Sequence, residues 1–269
     1  MSNSSISKSH LNRLSDGRGQ GRGKDYVPFI QANDNKVASE GWLTRTHGWK
    51  TRRIHHTLSK HEYQFLLVQE WADCVVDIRE QYPLTPIEMT IEIADKLNIR
   101  HPHYKGEKVI MSTDFMLSVV NEDGEITDVA RTIKPVTKLT KRTLELFEIE
   151  RRYFLEMGIS WKMVFDKPKP INMIKNIDWM YDAKFLGTRP GVDSEVIDLV
   201  ADPLLKTLFS CSPKDSISKN CLKCDMKLGL EAGTSLYIVQ HMLVNKLWKT
   251  DMNLLIRENR PLSLIVDRQ

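Results

Sequence analysis

The chain has 269 residues, of which 41% are hydrophobic, and a formal net charge of +4. This length allows a sizeable core, and the absence of any run of eighteen apolar residues excludes a membrane-spanning helix. The start of the chain is polar and serine-rich without an apolar signal segment, and four cysteines do not suggest a disulfide framework. We therefore expect a soluble, cytoplasmic protein with two domains.

The positive charge is concentrated near the N-terminus. Residues 1 to 60 contain eleven Lys and Arg against four Asp and Glu, whereas residues 187 to 269 contain eleven against ten. The glycines between residues 16 and 24 carry too much backbone entropy to fold unaided, so we predict that residues 1 to 26 form an arm that is disordered or ordered by a partner. Such an arm suits phosphate binding, although a solvated face explains the charge equally well.

Residues 42 to 57 interleave basic and aromatic side chains. Arg and Lys neutralise backbone phosphates while flat side chains cover sugars or bases, so this pattern is typical of a nucleic-acid contact. A surface strand or loop with one tryptophan beneath it explains the pattern equally well. Under the first interpretation, the DNA-binding residues are Arg45, Lys50, Arg52 and Arg53.

Apolar side chains at helical spacing predict the first long helix over residues 60 to 74, with Ser59 as its N-cap. Ser59 and Glu62 also match a capping box, in which the glutamate only bonds the amide of the cap. A glutamate in the first turn nevertheless projects from the helix end, where a cleft could receive it. Glu62 is therefore a candidate site residue.

Two β-rich runs, residues 108 to 120 and 125 to 134, are separated by an Asp-Gly turn and predict a hairpin. Asp114 and Lys134 fall on its two strands, so their side chains can share one face near the end of the sheet. Together with Glu62, Asp114 can hold Mg²⁺ or Mn²⁺, while Lys134 orients or deprotonates a water or neutralises developing charge. Each residue alone is ordinarily solvated, so the prediction depends on their joint arrangement.

The flanking segments complete an α/β core with a mixed sheet. Hydrophobic spacing predicts a strand over residues 75 to 82, a helix over 86 to 97, a helix over 142 to 157, a buried strand over 159 to 165 and a helix over 171 to 182.

Beyond residue 186, three short helices and two strand-like runs predict a winged helix-turn-helix domain. Its near-neutral charge argues against strong independent DNA binding, so docking to proteins explains it at least as well. The helices are predicted over 193 to 209, 214 to 226 and 233 to 246, and the strands over 248 to 255 and 261 to 266.

Two further groups of possible metal ligands favour a structural interpretation. His101 and His103 flank a proline in a turn context typical of a surface loop. Cys221 and Cys224 form a single C-x-x-C that lacks a second pair, even if Cys211 and His241 are added. Cysteines are also frequent core residues of small helical domains.

Six short motifs occur in one order along the chain: Arg18-Gly-Gln-Gly-Arg-Gly-Lys-Asp-Tyr26, Leu58-Ser-x-x-Glu62, Asp77-Ile-Arg-Glu-Gln-Tyr-Pro-Leu84, Met111-Ser-Thr-Asp-Phe115, Ile133-Lys-Pro135 and Glu150-Arg-Arg-Tyr153. Together they resemble TnsA, the endonuclease subunit of bacterial heteromeric cut-and-paste transposases. The resemblance is dense over residues 17 to 182 and weakens beyond them. It implies a restriction-endonuclease-like fold of the PD-(D/E)xK class in residues 27 to 186 and a C-terminal winged-helix domain in residues 187 to 269.

The resemblance also implies the chemistry. Glu62, Asp114 and Lys134 are the expected catalytic residues, Mg²⁺ is the expected cofactor, and the backbone carbonyl of Ile133 is an expected further ligand. In such systems this subunit cuts the 5′ strands of double-stranded DNA at the transposon ends. The DDE recombinase TnsB cuts and joins the 3′ ends, the AAA+ ATPase TnsC communicates the target, and the C-terminal domain contacts these partners.

Two positions depart from a standard PD-(D/E)xK enzyme. Thr132 stands where that motif carries an acid two residues before the lysine, and Thr113 rather than proline precedes Asp114. The missing strand acid makes Glu62 essential to the hypothesis.

Two other functions remain open at this point. One is an independent site-specific nuclease of the restriction or resolvase type, and the other is a non-catalytic DNA-binding or adaptor protein whose winged helix docks a partner. An adaptor has no need for Glu62, Asp114 and Lys134 to converge. Their positions in the fold therefore discriminate between the classes.

Overall fold

A computed structural model describes residues 5–34, 42–210 and 215–265. Within these ranges, no helix combines the length and apolarity needed to cross a bilayer. The chain divides into two compact units, Met1–Lys169 and Pro170–Gln269. This boundary lies earlier than the one predicted between residues 186 and 187.

The first unit is a mixed α/β structure, which confirms the predicted class. Its four-stranded sheet has the order β3-β6-β7-β8, in which β3, β6 and β7 are antiparallel neighbours and β8 runs parallel to β7. Its elements are α1 (Lys8–Ser15), α2 (Lys60–Trp71), α3 (Ile87–Lys96), α4 (Lys141–Glu156), β1 (Thr44–His47), β2 (Ile54–Thr57), β3 (Val75–Pro83), β4 (His103–Tyr104), β5 (Glu107–Lys108), β6 (Ser112–Val120), β7 (Ile126–Lys134) and β8 (Ser160–Phe165), with 3-10 helices at Gly23–Asp25 and Val136–Lys138.

Apolar side chains cover both faces of this sheet. Phe115 of β6 packs with Leu66 of α2 on one face, whereas Met116 packs with Ile149 and Phe154 of α4 on the other. Because successive strand residues point to opposite faces, the neighbours Phe115 and Met116 enter different layers. The unit is therefore a three-layer structure with α2 on one side and α3 and α4 on the other.

The edge strand β8 is less buried than predicted. Its residues alternate between exposed and half-buried positions, and Phe165 at its end is 42% exposed. The physical reason is its place in the sheet, since β8 pairs only with β7 and leaves its outer side uncovered.

The N-terminal segment, residues 5–34, packs on the first unit rather than forming a disordered arm. Several of its arginines are paired within the unit: Arg18 binds Asp34 at 2.9 Å and Arg22 binds Asp128 at 2.7 Å. Gly19, with φ of +77°, approaches so closely that an added Cβ would lie 2.3 Å from a side-chain carbon of Pro83. Ion pairs and close glycine packing therefore supply the order that local composition lacks.

The second unit is mainly helical, and the three helices predicted after residue 186 are present among its described residues. One additional helix, α5, belongs to this unit although it was predicted as part of the first domain. The elements are α5 (Ile171–Met180), a 3-10 helix (Tyr181–Lys184), α6 (Ser194–Ser210), α7 (Ile217–Leu228), α8 (Thr234–Val244), β9 (Lys249–Thr250) and β10 (Leu264–Ile265).

The strands of this unit are much shorter than predicted, because a buried asparagine of α5 binds the backbone between them. The Asn176 amide nitrogen donates to the carbonyl oxygens of Met252 and Leu254 at 3.2 and 2.9 Å, and its oxygen accepts from the Ile256 amide at 2.9 Å. Within the described part of the chain, which ends at residue 265, Lys249 and Thr250 are the residues that pair with β10. These hydrogen bonds also explain why α5 belongs to the second unit.

The packing of α4 gives a direct test of the core. Phe154 is 0% exposed, whereas the adjacent Leu155 is 61% exposed. We expect Phe154→Ala to lower the free energy of unfolding by about 3–5 kcal/mol because it leaves a cavity beneath the sheet. Leu155→Ala, the matched control, should change it by less than ~0.5 kcal/mol. Urea denaturation measures both, and equal effects of the two variants would contradict the described packing of α4.

Candidate active site

A cleft of about 670 Å³ in the first unit is lined by all three predicted catalytic residues. Glu62 comes from the first turn of α2, Asp114 from β6 and Lys134 from the end of β7. The predicted convergence is therefore found. The catalytic role of these residues stays a prediction.

Asp114 is fixed where the β6–β7 ladder opens. The last paired residues at this end are Phe115 and Arg131. Beyond them, the Oδ2 atom of Asp114 accepts a hydrogen bond from the Ile133 amide at 2.6 Å. The carboxylate thus replaces a backbone carbonyl as the acceptor for β7 and is held at the end of the sheet, facing the cleft.

Glu62 takes part in the cap of α2 and also lines the cleft, with its carboxylate on the Leu58 amide rather than on the amide of the cap. Its amide donates to the Ser59 hydroxyl at 3.2 Å, and that hydroxyl donates to Glu62 Oε1 at 2.8 Å, so the residue takes part in capping α2. Its other oxygen, Oε2, accepts from the Leu58 amide at 2.9 Å and from the Gln81 side chain at 3.2 Å. The carboxylate is 8% exposed and still lines the cleft. Capping therefore orients this acid at the site.

Burial and mutual repulsion make the ionised forms of the two acids unfavourable. Burial raises the pKa of Asp114 well above its ordinary value, and the negative charge of Glu62 raises it further. Burial also raises the pKa of Glu62, against the opposing effect of its hydrogen-bond donors. Two carboxylates in one buried cleft are costly when both are ionised, and a cation between them removes that cost.

The donor set fits a hard divalent cation such as Mg²⁺. Carboxylate oxygens are its preferred protein ligands, and it usually keeps several waters. Among the described residues, no cluster of three or more His, Cys, Asp and Glu side chains could hold a metal. A cation bound by Glu62 and Asp114 would therefore need backbone, water or phosphate oxygens to complete its coordination.

Lys134 adds a positive charge to the same cleft. Its Nζ atom lies 6.0 Å from the centre of the Phe147 ring of α4. Its charge acts on Asp114, where it opposes the rise in pKa. The ammonium group is therefore within electrostatic reach of the acids.

A further carboxylate in the cleft, Glu150 of α4, was not predicted as a site residue. It is 3% exposed and accepts hydrogen bonds from the Thr132 hydroxyl and from the Trp161 indole, the latter at 2.9 Å. Burial raises its pKa, and these hydrogen bonds oppose the rise. Its side chain reaches Thr132 of β7 from α4, so a third acid lies in the cleft with Glu62 and Asp114. The sequence signal was the Glu150 motif already noted.

One wall of the cleft is basic, and sequence reasoning also missed this feature. Lys60, His61 and Lys138 line it. Beside them, the Lys169 ammonium donates to Gln64 Oε1 at 2.7 Å and lies 3.3 Å from His61 Nδ1. After burial, the charges of neighbouring lysines, Lys169 foremost, lower the pKa of His61. Several cationic groups therefore converge next to the two acids.

Three of the four residues predicted to bind DNA have side chains placed compatibly with that role. Arg45 on β1 and Arg52 in the turn between β1 and β2 are exposed, and Lys50 is half-buried. Their contact with DNA stays a prediction.

The structure contradicts the predicted DNA contact of Arg53. Its side chain is 8% exposed and binds Glu80, which is fully buried, at 2.6 Å. His55 Nδ1 lies 2.7 Å from the same carboxylate. Although burial opposes the effect, the charges of His55 and Arg53 hold the pKa of Glu80 well below its ordinary value. Arg53 therefore neutralises an internal acid.

The other possible metal ligands are occupied internally. His101 is buried with Nε2 2.9 Å from the Thr90 hydroxyl, and burial lowers its pKa to about 4. Cys221 and Cys224 are buried and free, and burial raises the pKa of Cys221 to about 12. His241 Nδ1 lies 2.8 Å from a backbone carbonyl oxygen. Cys211 lies outside the described residues.

Comparisons with known proteins agree with the division of the chain. Residues 72–166 match the family model for the TnsA-like endonuclease N terminal, and residues 170–252 match that for the TnsA endonuclease C terminal. The chain is 34% identical over 268 residues to the Transposon Tn7 transposition protein TnsA of Escherichia coli, covering 99% of this chain and 94% of that protein. The junction between the two family models coincides with the boundary between the two compact units.

The burial of Arg53 can be tested against the exposed Arg45. We expect Arg53→Ala to lower the free energy of unfolding by about 3–5 kcal/mol, because the buried Glu80 keeps only His55 of its two cationic partners. Arg45→Ala should change it by less than ~0.5 kcal/mol, as a surface substitution. Chemical denaturation of both variants measures the difference. A fully stable Arg53→Ala variant would contradict the buried ion pair.

Proposed function

Because the chain belongs to the TnsA family of transposition endonucleases, we propose that it cuts the 5′ strands at transposon ends by metal-dependent hydrolysis of a phosphodiester. The observation that carries this proposal is the meeting of Glu62, Asp114 and Lys134 in one cleft. An acid on a helix, an acid on a strand and a lysine on the next strand also support a restriction-endonuclease-like core of the PD-(D/E)xK class. The proposed place of action is the bacterial cytoplasm.

In this proposal, Glu62 and Asp114 hold Mg²⁺, for which Mn²⁺ can substitute, together with the backbone carbonyl of Ile133. When bound, such a cation polarises the scissile phosphate and lowers the pKa of a coordinated water. Lys134 orients or deprotonates the attacking water, or neutralises the negative charge that develops on the phosphate. The hydrogen bond from the Ile133 amide keeps Asp114 in position throughout.

The basic wall supports a path for the DNA backbone beside the acids. Lys60, Lys138 and Lys169 bring ammonium groups around His61, and phosphates are the anions that such a group of charges suits. Trp42, which is 43% exposed, also lines the cleft, with Lys60 Nζ 5.5 Å from its ring centre. We propose that these residues bind the cleaved strand, while Arg45, Lys50 and Arg52 extend the contact along the duplex.

The proposed partners are the DDE recombinase TnsB and the AAA+ ATPase TnsC. Helices α6 to α8 followed by the short β9–β10 pair support a winged-helix domain that docks to proteins. A purely adaptor role has less support, because an adaptor has no need for Glu62, Asp114 and Lys134 to meet in one cleft. An independent nuclease is the second candidate function, and reactions without the recombinase and the ATPase test it.

Asp114→Asn tests the cutting role. Purified chain, recombinase and ATPase are incubated with Mg²⁺ and a supercoiled plasmid carrying transposon ends, and each strand is mapped separately. We expect 5′ cutting to fall by roughly 10² to 10³-fold, as when one group that stabilises transition-state charge is lost. Cutting at the 3′ ends should continue. The matched control is Asp123→Asn in the exposed β6–β7 turn, which should cut normally.

Each other outcome has a defined meaning. Clean excision by the Asp114→Asn complex would contradict the proposal and favour an adaptor. Cutting by the unaltered chain without its partners would favour an independent nuclease. Continued 5′ cutting after EDTA treatment would contradict the metal dependence.

The basic wall yields a separate prediction on DNA affinity. Each phosphate contact that is lost should reduce the slope of log affinity against log salt by about 0.9. We therefore expect the slope measured for a Lys60→Gln, Lys138→Gln double variant to be smaller by about twice this amount. Fluorescence anisotropy with a labelled end duplex in EDTA measures it. The control carries Lys96→Gln and Lys162→Gln, two exposed lysines outside the cleft, and an equal slope in both double variants would remove the basic wall from the DNA path.

A further inference from the structure

Gln81 of β3 has an unusual backbone conformation directly across the sheet from one of the acids. Its φ is 51°, in the left-handed region that residues other than glycine seldom adopt. The pairs on either side, Glu80 with Phe115 and Tyr82 with Thr113, place it opposite Asp114 in the register. It is 4% exposed. A strained and buried polar residue therefore lies beside the cleft.

The backbone and side chain of Gln81 both turn away from the regular ladder. Its carbonyl oxygen accepts from the Phe29 amide at 3.3 Å. Its side-chain amide donates to Glu62 Oε2 at 3.2 Å. One residue thus stands opposite the acid of β6 and hydrogen-bonds the acid of α2.

This hydrogen bond changes which oxygen of Glu62 is available. A carboxylate oxygen offers about two lone-pair positions. Oε2 already accepts from the Leu58 amide and from Gln81, so both of its positions are used. Among the described residues, Oε1 accepts from Ser59 alone and keeps one position for another ligand.

We propose that Gln81 is a positioning residue that occupies Glu62 Oε2 and so presents Oε1 to the cation. The left-handed backbone at residue 81 is the conformation that aims the amide at α2, and strain of this kind is concentrated at functional sites. The inference rests on the proposed metal-dependent function and deepens it. It gives β3 a role in the site, which is to orient the carboxylate of Glu62.

The Gln81→Asn variant distinguishes a positioning role of this residue from a purely structural role. Asparagine adopts the left-handed region more readily than glutamine, so Gln81→Asn suits the backbone. Its side chain is one methylene shorter and cannot reach Glu62. A structural role predicts unchanged metal binding, whereas a positioning role predicts weaker binding without loss of stability. Gln81→Met, which keeps the length but removes the donor, gives a second variant.

The matched control is Lys105→Asn. Lys105 also has φ of 51°, is exposed, and does not line the cleft. Binding of Mn²⁺ to the full chain is followed by electron paramagnetic resonance of the free ion, and thermal unfolding is recorded without metal. We expect Gln81→Asn to unfold at the same temperature as the unaltered chain or above it, and its Mn²⁺ dissociation constant to rise about tenfold, as for other outer-shell partners. Lys105→Asn should bind Mn²⁺ normally.

Mn²⁺ binding within twofold of the unaltered chain in Gln81→Asn would overturn the proposal, and this variant decides alone if Gln81→Met does not fold. Asp114→Asn is measured alongside. If it binds Mn²⁺ normally, the proposed metal site itself is wrong. If it loses binding while both Gln81 variants keep it, only the positioning role fails. An unaltered chain that takes up no Mn²⁺ would overturn both.

Discussion

Electrostatic repulsion between two buried carboxylates, Glu62 and Asp114, is the constraint on which the cleft depends. Like charges in a poorly solvated cleft interact strongly, so each must be stabilised by donors around it. The structure supplies the Ile133 amide for one acid, and the Leu58 amide, the Ser59 hydroxyl and Gln81 for the other. These donors hold the acids in place without neutralising them. A bound cation would neutralise the charge of the two carboxylates. The proposed metal affinity and the folding of this region are therefore coupled.

Another buried acid of the first unit, Glu80, has cationic partners within the protein. Glu80 is matched by Arg53 and His55 within the protein, so no ligand from outside is needed. Glu80 and Gln81 are adjacent in β3, yet one faces an internal ion pair and the other the acid of α2. Two neighbours on one strand therefore serve different groups, an internal ion pair and the acid of α2. This arrangement also explains why Arg53, which was predicted to contact DNA, is unavailable to it.

Local sequence signals predicted the elements that carry the site. Helical spacing after Ser59 and the Asp-Gly turn before β7 located α2 and the hairpin, because both features are set by neighbouring residues. Interactions distant in sequence could not be predicted in this way. The pairing of Arg53 with Glu80, of Arg22 with Asp128, and the capture of residues 252–256 by Asn176 each join segments that are separate along the chain. Resemblance to a family named the two acids that the fold brings into one cleft, but not the left-handed Gln81 beside them.

The N-terminal segment, residues 5–34, supports the strand β3, whose Gln81 contacts the acid of α2. Its Tyr26 hydroxyl donates to the Glu80 carbonyl, and the Phe29 amide donates to the Gln81 carbonyl, so it braces the middle of β3. The N-terminal family model starts only at residue 72. A fragment trimmed to that match would lack the helix acid and the brace behind its neighbouring strand. The folded unit that carries the cleft therefore includes residues 5–34, and fusions placed beside them bear on the geometry of the site itself.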